Sequence, residues 1–119
     1  MFCTLLKAKL HHLRVTQAEL DYEGSLTIDR DLMDAVGILP YEKLLVANLK
    51  NGERFETYAI CGPRGSGVAC LNGAAAHKGE IGDRLIVMVW CLLDDAERPH
   101  HHPKGVRLDE NNRIAAAAF

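Results

Sequence analysis

The stretch Leu44-Leu45-Val46-Ala47-Asn48-Leu49-Lys50-Asn51-Gly52-Glu53-Arg54-Phe55-Glu56-Thr57-Tyr58-Ala59-Ile60-Cys61 decides the fold class. Leu44 to Leu49 is mostly apolar and β-prone, and Asn51-Gly52 predicts a two-residue hairpin turn. Arg54 to Cys61 is the return strand. Its alternation places Arg54, Glu56, Tyr58 and Ile60 on one face and Phe55, Thr57 and Ala59 on the other.

Outward from this hairpin the chain keeps reading as short strands. Gly62 to Gly67 is rich in glycine and must turn. Val68 to Leu71 is a short strand ending at Asn72-Gly73, and Arg84 to Leu93 is nearly continuously apolar, as in a strand buried on both faces. Upstream, Leu6-Lys7-Ala8-Lys9-Leu10 alternates, so both lysines project from one strand face. One helix is expected, Arg30 to Val36, with Asp29 as N-cap, Gly37 as C-cap and Pro40 preventing its extension. Val106 to Leu108 and Arg113 to Ile114 form a weak last hairpin around Asp109-Glu110-Asn111-Asn112. The tail, about 95–119, is expected to be weakly ordered. One helix beside six or seven strands predicts a mainly β chain. A small barrel is the natural solution, because closure removes exposed edges.

At 119 residues the chain is long enough for one domain, 1–119. Its net charge is −2 and no stretch is strongly basic, which argues against a nucleic-acid partner. The longest apolar run, Leu85 to Leu93, is about half of the roughly 20 residues a membrane helix needs. Lys7 and Lys9 interrupt the first apolar residues, so no signal peptide is expected and the predicted location is cytoplasmic. Cysteines 3, 61, 70 and 91 form no Cys-x-x-Cys pair and read as free thiols in a reducing compartment. His100-His101-His102 has no obvious partner ligand and reads as solvated tail, so no metal is expected.

The residues that could carry chemistry are Tyr22-Glu23-Gly24-Ser25. Taken alone, Gly24-Ser25 is an ordinary turn. A chemical alternative exists: a strained Gly24 carbonyl could be attacked by the Ser25 hydroxyl, turning the peptide into an ester. Glycine at 24 favours this, since it has no Cβ to shield the carbonyl. Taken alone, too, Arg54 is a solvated strand charge, Lys9 a surface lysine, and Gly73-Ala74-Ala75-Ala76 a small-residue turn.

Together these segments resemble the bacterial aspartate 1-decarboxylases, which depend on a pyruvoyl group. The resemblance is carried by Lys9, His11, Val15-Thr16 and Tyr22-Glu23-Gly24-Ser25, then by Asn51-Gly52-x-Arg54-Phe55-x-Thr57-Tyr58. It continues through Arg64-Gly65-Ser66-Gly67, Asn72-Gly73-Ala74-Ala75-Ala76-His77, Gly82-Asp83, Pro103 and Asp109-Glu110-Asn111-Asn112-Arg113. Ala47 stands where some relatives carry Trp, and the tail from Asp94 is the least family-like part.

The resemblance implies a double-psi β-barrel, assembled as a homotetramer with active sites at subunit boundaries. It implies a precursor that cuts itself at Gly24-Ser25 into a beta chain, 1–24, and an alpha chain, 25–119, whose Ser25 becomes a covalent pyruvoyl cofactor. Thr57 would help stabilise the oxyanion during cleavage. L-Aspartate would form a Schiff base with the pyruvoyl group, which replaces pyridoxal phosphate as electron sink. Tyr58 would return a proton after CO2 leaves, and β-alanine would be released toward pantothenate. Arg54 and Lys9 would hold the anionic substrate, with Thr57 also at the substrate; Asn72 would orient the pyruvoyl group or the nucleophile's loop, and Gly73, Ala74 and Ala75 would line the pocket. The residues leave open whether cleavage is spontaneous or assisted by a maturation helper protein. Two rivals also stand: a non-enzymatic β-barrel scaffold that keeps Gly24-Ser25 as a turn, and a decarboxylase for glutamate or a cysteine-derived acid.

Overall fold

The central hairpin organises the chain. In the computed structural model, which describes residues 1–119, strands β4 (Lys43–Asn48) and β5 (Arg54–Gly62) pair antiparallel, with Leu44 opposite Thr57 and Ala47 opposite Arg54. The connection is longer than the two residues expected from Asn51-Gly52. Asn48 N–H donates to the Glu53 carbonyl at 2.9 Å, leaving Leu49 to Gly52 in the loop. The reason is local: the Asn48 and Asn51 side chains each accept from the backbone two residues on, Lys50 N–H and Glu53 N–H, both at 2.9 Å. Such side-chain turns compete with a tight hairpin.

Seven further strands surround this pair: β1 (Cys3–Arg14), β2 (Gln17–Glu19), β3 (Ser25–Asp29), β6 (Ala69–Asn72), β7 (Arg84–Leu93), β8 (Lys104–Leu108) and β9 (Ile114–Ala117). Their order across the sheet is β2-β6-β3-β5-β4-β7-β1-β8-β9. Because β1 and β2 are one ribbon interrupted only by Val15 and Thr16, the order closes on itself. At the interruption Val15 N–H donates to Asp83 O (2.9 Å) and Thr16 N–H to Ala69 O (2.8 Å), handing the ribbon from β7 to β6. The result is the mainly β, barrel-like fold expected from the sequence.

The single α-helix, α1 (Arg30–Val36), has the predicted caps. The Asp29 carboxylate accepts from Asp31 N–H at 2.9 Å, and Gly37 takes the left-handed conformation, φ 80°, that ends the helix. Asp29 also accepts from Gly65 N–H (3.0 Å) and Gly67 N–H (2.9 Å), so one buried carboxylate fixes both the helix start and the glycine loop before β6. Leu32, Met33 and Val36 of α1 join Leu10, Leu13, Leu26, Ile28, Leu44, Val46, Leu71 and Val87 in one core.

β7 corrects an expectation. Leu85, Val87 and Val89 are buried, but Ile86 and Met88 are only half-buried, and Trp90 and Leu92 are 46% and 61% exposed. In one chain the strand is covered on one face only. β8 runs parallel to β1 and pairs with β9, giving the last hairpin, and Leu108 reaches the core. His101 Nε2 lies 2.7 Å from the Leu6 carbonyl. No helix is long and apolar enough to cross a membrane.

Candidate active site

Ser25 is the first residue of β3 and is fully buried. The sequence alone does not reveal this strand, because Leu26-Thr27-Ile28 is too short to show a period beside the turn before it. β3 lies between β6 and β5, antiparallel to the first and parallel to the second, and Ser25 stands directly opposite Asn72. Asn72 Nδ2 donates to Ser25 Oγ at 2.8 Å and to Thr27 Oγ1 at 2.9 Å, while Ser25 Oγ itself donates to the Glu23 carbonyl at 3.3 Å. The hydroxyl is therefore held in one orientation beside the Gly24-Ser25 peptide.

The Asn72 amide is oriented in turn. Cys70 Sγ donates to Asn72 Oδ1 at 3.1 Å, which commits the opposite end of the amide to the two hydroxyls. Burial, with the Glu19 charge adding to it, pushes the Cys70 thiol pKa up, so the thiol keeps the proton it donates.

Gly73 explains why the chain can come so close to Gly24. Its φ is +63°, a conformation that side chains other than glycine's disfavour. A Cβ there would sit 2.7 Å from the Tyr22 carbonyl oxygen and 2.8 Å from both N and Cα of Gly24. The backbone at Gly73 thus lies close against residues Tyr22 to Gly24, with no room between them for a side chain. From Gly73 the chain runs into a 3-10 helix, Gly73–Lys78.

Beside this helix opens a cavity of about 350 Å³, lined by Gly24, Phe55, Glu56, Thr57, Tyr58, Ala74, Ala75 and Lys78. The structure therefore brings Gly24, Thr57, Tyr58, Ala74 and Ala75 to one cavity, with Ser25, Asn72 and Gly73 buried behind it. It does not bring Lys9 or Arg54 there. Lys9 is opposite Met88, Met88 opposite Leu45, and Leu45 opposite Glu56. Three strand spacings separate Lys9 from Glu56, roughly 14 Å. His11, Ile86, Ala47 and Arg54 form the next row on the same face. Lys9 and Arg54 therefore mark opposite edges of one outer sheet face whose middle is Ile86, Met88, Leu45 and Ala47.

Three lining residues were not anticipated: Phe55, Glu56 and Lys78. Phe55 and Glu56 flank the anticipated Thr57, and Lys78 directly follows the block ending at His77. Their neighbours signalled the place, but nothing in their own spacing singled them out.

The family profile described as aspartate decarboxylase matches residues 1–115. The chain is similar to the aspartate 1-decarboxylase of Shouchella clausii, 56% identical over 114 residues, covering 96% of this chain and 90% of that one. It is also similar to that of Syntrophobacter fumaroxidans, 58% identical over 109 residues, with 92% and 88% covered. The aspartate 1-decarboxylase of Neisseria meningitidis is 54% identical over 114 residues, with 96% and 90% covered. On this match over nearly its whole length, the chain belongs to the aspartate decarboxylase family.

Proposed function

We propose that this chain, an enzyme of the aspartate decarboxylase family, converts L-aspartate to β-alanine and CO2 after cutting itself between Gly24 and Ser25. The observation that carries the reading is the buried Ser25 hydroxyl, fixed by Asn72 at 2.8 Å next to a Gly24 segment that Gly73 can approach closely only because it has no side chain.

Maturation follows from those contacts. Ser25 Oγ adds to the Gly24 carbonyl, the C–N bond breaks and an ester forms. Thr57, which shares the cavity with Gly24, supplies a hydroxyl for the developing oxyanion. Elimination then releases the Gly24 carboxylate with chain 1–24. One water hydrolyses the dehydroalanine at position 25, ammonia leaves, and chain 25–119 begins with a pyruvoyl group.

The residues around position 25 fit such a group. Asn72 stands opposite position 25 in the ladder, and the amide donor that it gives to Ser25 Oγ is freed when that oxygen leaves with the Gly24 carboxylate. When present, the pyruvoyl group supplies the electron sink for the pair left behind by the departing carboxylate. Tyr58 lines the cavity and carries the phenolic proton available for return to the substrate carbon. Ala74 and Ala75 keep the wall low, so that the substrate can approach position 25 closely.

The working assembly in this reading is a homotetramer, with β-alanine feeding pantothenate formation in the cytoplasm. Two features support a second copy beside the site. Trp90 and Leu92 are exposed apolar side chains on β7. Lys9 and Arg54, the cations expected at the substrate, do not line the cavity of their own chain. A neighbour's sheet edge is the physical route by which either could reach it, since ligand sites favour such junctions. The reading is tested by supplying purified, processed protein with L-aspartate and, separately, L-glutamate. Equal molar yields of CO2 and β-alanine from aspartate are expected, with far slower turnover of glutamate. Failure to consume aspartate would overturn it.

A further inference from the structure

The β3–β6 ladder sets four polar side chains side by side. Ser25 stands opposite Asn72 and Thr27 opposite Cys70, while Leu26 and Leu71 between them belong to the core. Ser25, Asn72 and Cys70 are buried, so their hydrogen bonds are made out of reach of solvent. Both Nδ2 hydrogens of Asn72 are committed, one to Ser25 Oγ at 2.8 Å and one to Thr27 Oγ1 at 2.9 Å. The Cys70 thiol, donating at 3.1 Å, is the one hydrogen-bond partner of Asn72 Oδ1. Turned over, the amide would set Oδ1 against the two hydroxyls and its N–H groups against sulfur, which is a weak acceptor. The thiol therefore decides which end of the amide faces Ser25.

From this we infer that Cys70 is a positioning residue for maturation, and that the Asn72 donor it holds in place serves the elimination that follows attack by Ser25. The inference rests on the self-cleavage reading and assigns a step within it. A donor on Oγ draws electron density from that oxygen, so it does not speed attack. In the ester the same Oγ bridges the Gly24 carbonyl carbon and the Cβ of residue 25. Elimination passes the α-proton of residue 25 to water, and the electron pair of that C–H bond forms the Cα=Cβ bond. The Cβ–Oγ bond breaks and its pair stays on Oγ, which leaves as an oxygen of the Gly24 carboxylate. An N–H already aimed at Oγ stabilises the charge as it develops there. A hydrogen bond that strengthens along a step lowers the barrier of that step. Thr57, in the same reading, acts earlier and on a different oxygen, that of the Gly24 carbonyl.

The test follows freshly purified wild type, Cys70→Ala, Cys70→Val and Cys70→Ser, each first shown to be folded by circular dichroism. Intact mass gives the rate at which fragments 1–24 and 25–119 appear. Neutral hydroxylamine cleaves esters, so the mass of the 1–24 hydroxamate gives the share of uncut chain already held as ester. Alanine and valine carry no donor. Serine keeps one in a side chain little larger than alanine's, so the packing loss shared by Cys70→Ala and Cys70→Ser cancels, and Cys70→Val carries the comparison if Cys70→Ala does not fold. Fragments should appear about five- to tenfold more slowly in the two donorless variants and within about twofold of wild type in Cys70→Ser, as for loss and recovery of one buried hydrogen bond. The ester share of the uncut chain should be at least that of wild type. Wild-type rates without the donor, equal slowing in Cys70→Ser, or an ester share that falls along with the rate overturns the inference and leaves self-cleavage intact. Wild type that never cuts brings down the parent reading, and this one with it.

Discussion

Asn72 Nδ2 donates to Ser25 Oγ across 2.8 Å, and the two residues stand opposite one another in the β3–β6 ladder. The contact takes one lone pair of a fully buried hydroxyl whose proton goes to the Glu23 carbonyl at 3.3 Å, so the side chain is held from both ends. In Asn72→Ala, Ser25 Oγ and Thr27 Oγ1 both lose their donor. We expect about 1–3 kcal/mol less stability and slower cleavage by about tenfold or more. Incubating freshly purified precursor and following fragment masses against time measures the effect. Wild-type processing kinetics in this variant would remove Asn72 from the account.

Gly73→Ala should be more severe for cleavage than for folding. The added methyl would meet Tyr22 O and the Gly24 backbone at 2.7–2.8 Å, in a conformation that already disfavours it, so the segment before Ser25 must move away. The expected product is a folded, largely uncut chain, with normal far-ultraviolet circular dichroism and a single full-length mass. Complete processing would mean that the close approach at Gly73 plays no part.

Tyr58→Phe separates maturation from turnover. Tyr58 lines the cavity, but Ser25, Asn72 and Thr57 are untouched by its loss. Cleavage should proceed normally and kcat should fall by about 100-fold or more, as when a positioned proton donor is removed. Undiminished β-alanine formation would assign the proton to another group.

His11 and His12 give the fold a pH dependence near neutrality. Their rings stack with centroids 3.9 Å apart. Both pKa values are lowered from 6.5, by burial first; then for His11 by His12, Lys9, Arg107 and Arg84, and for His12 by Arg84, Arg107, Arg14 and Lys9. The unfolded chain therefore binds protons more readily than the folded one. The stability conferred by the neutral rings is complete above pH 6.5 and is lost as the pH falls below it, toward the folded values. Tm should drop between pH 7 and pH 5, and the drop should be smaller in His12→Asn, which tolerates the positive φ of 69° at that position. Thermal unfolding at the two pH values checks both statements, and an identical slope in the variant would contradict the second.

The fold was legible wherever local signals agreed. Asp29 and Gly37 bracketed the helix correctly, and the alternation of Arg54 to Cys61 located β5 and, with it, Thr57 and Tyr58. β3 was not legible because its identity depends on two distant partners, β5 and β6, rather than on its own five residues. β7 misled for a related reason. Its apolar residues continue onto the outer face, and hydropathy does not say whether the strand itself or a second molecule covers them. At the site, Gly24, Ser25 and Asn72 could be picked out only through the family pattern, since a Gly-Ser turn and a lone Asn have no spacing of their own. The Cys70 contact to Asn72 and the cavity position of Lys78 are products of tertiary packing and left no mark in the sequence.

In the proposed function the chain makes its own prosthetic group from Ser25. Intact mass of the purified, active protein tests it most directly, with Ser25→Ala as the control. Two fragments are expected, 1–24 and 25–119, the larger carrying a blocked ketone-bearing N-terminus, and a Ser25→Ala chain should stay whole and inert toward aspartate. A single uncut mass in protein that produces β-alanine, or CO2 release from aspartate by the alanine variant, would contradict it.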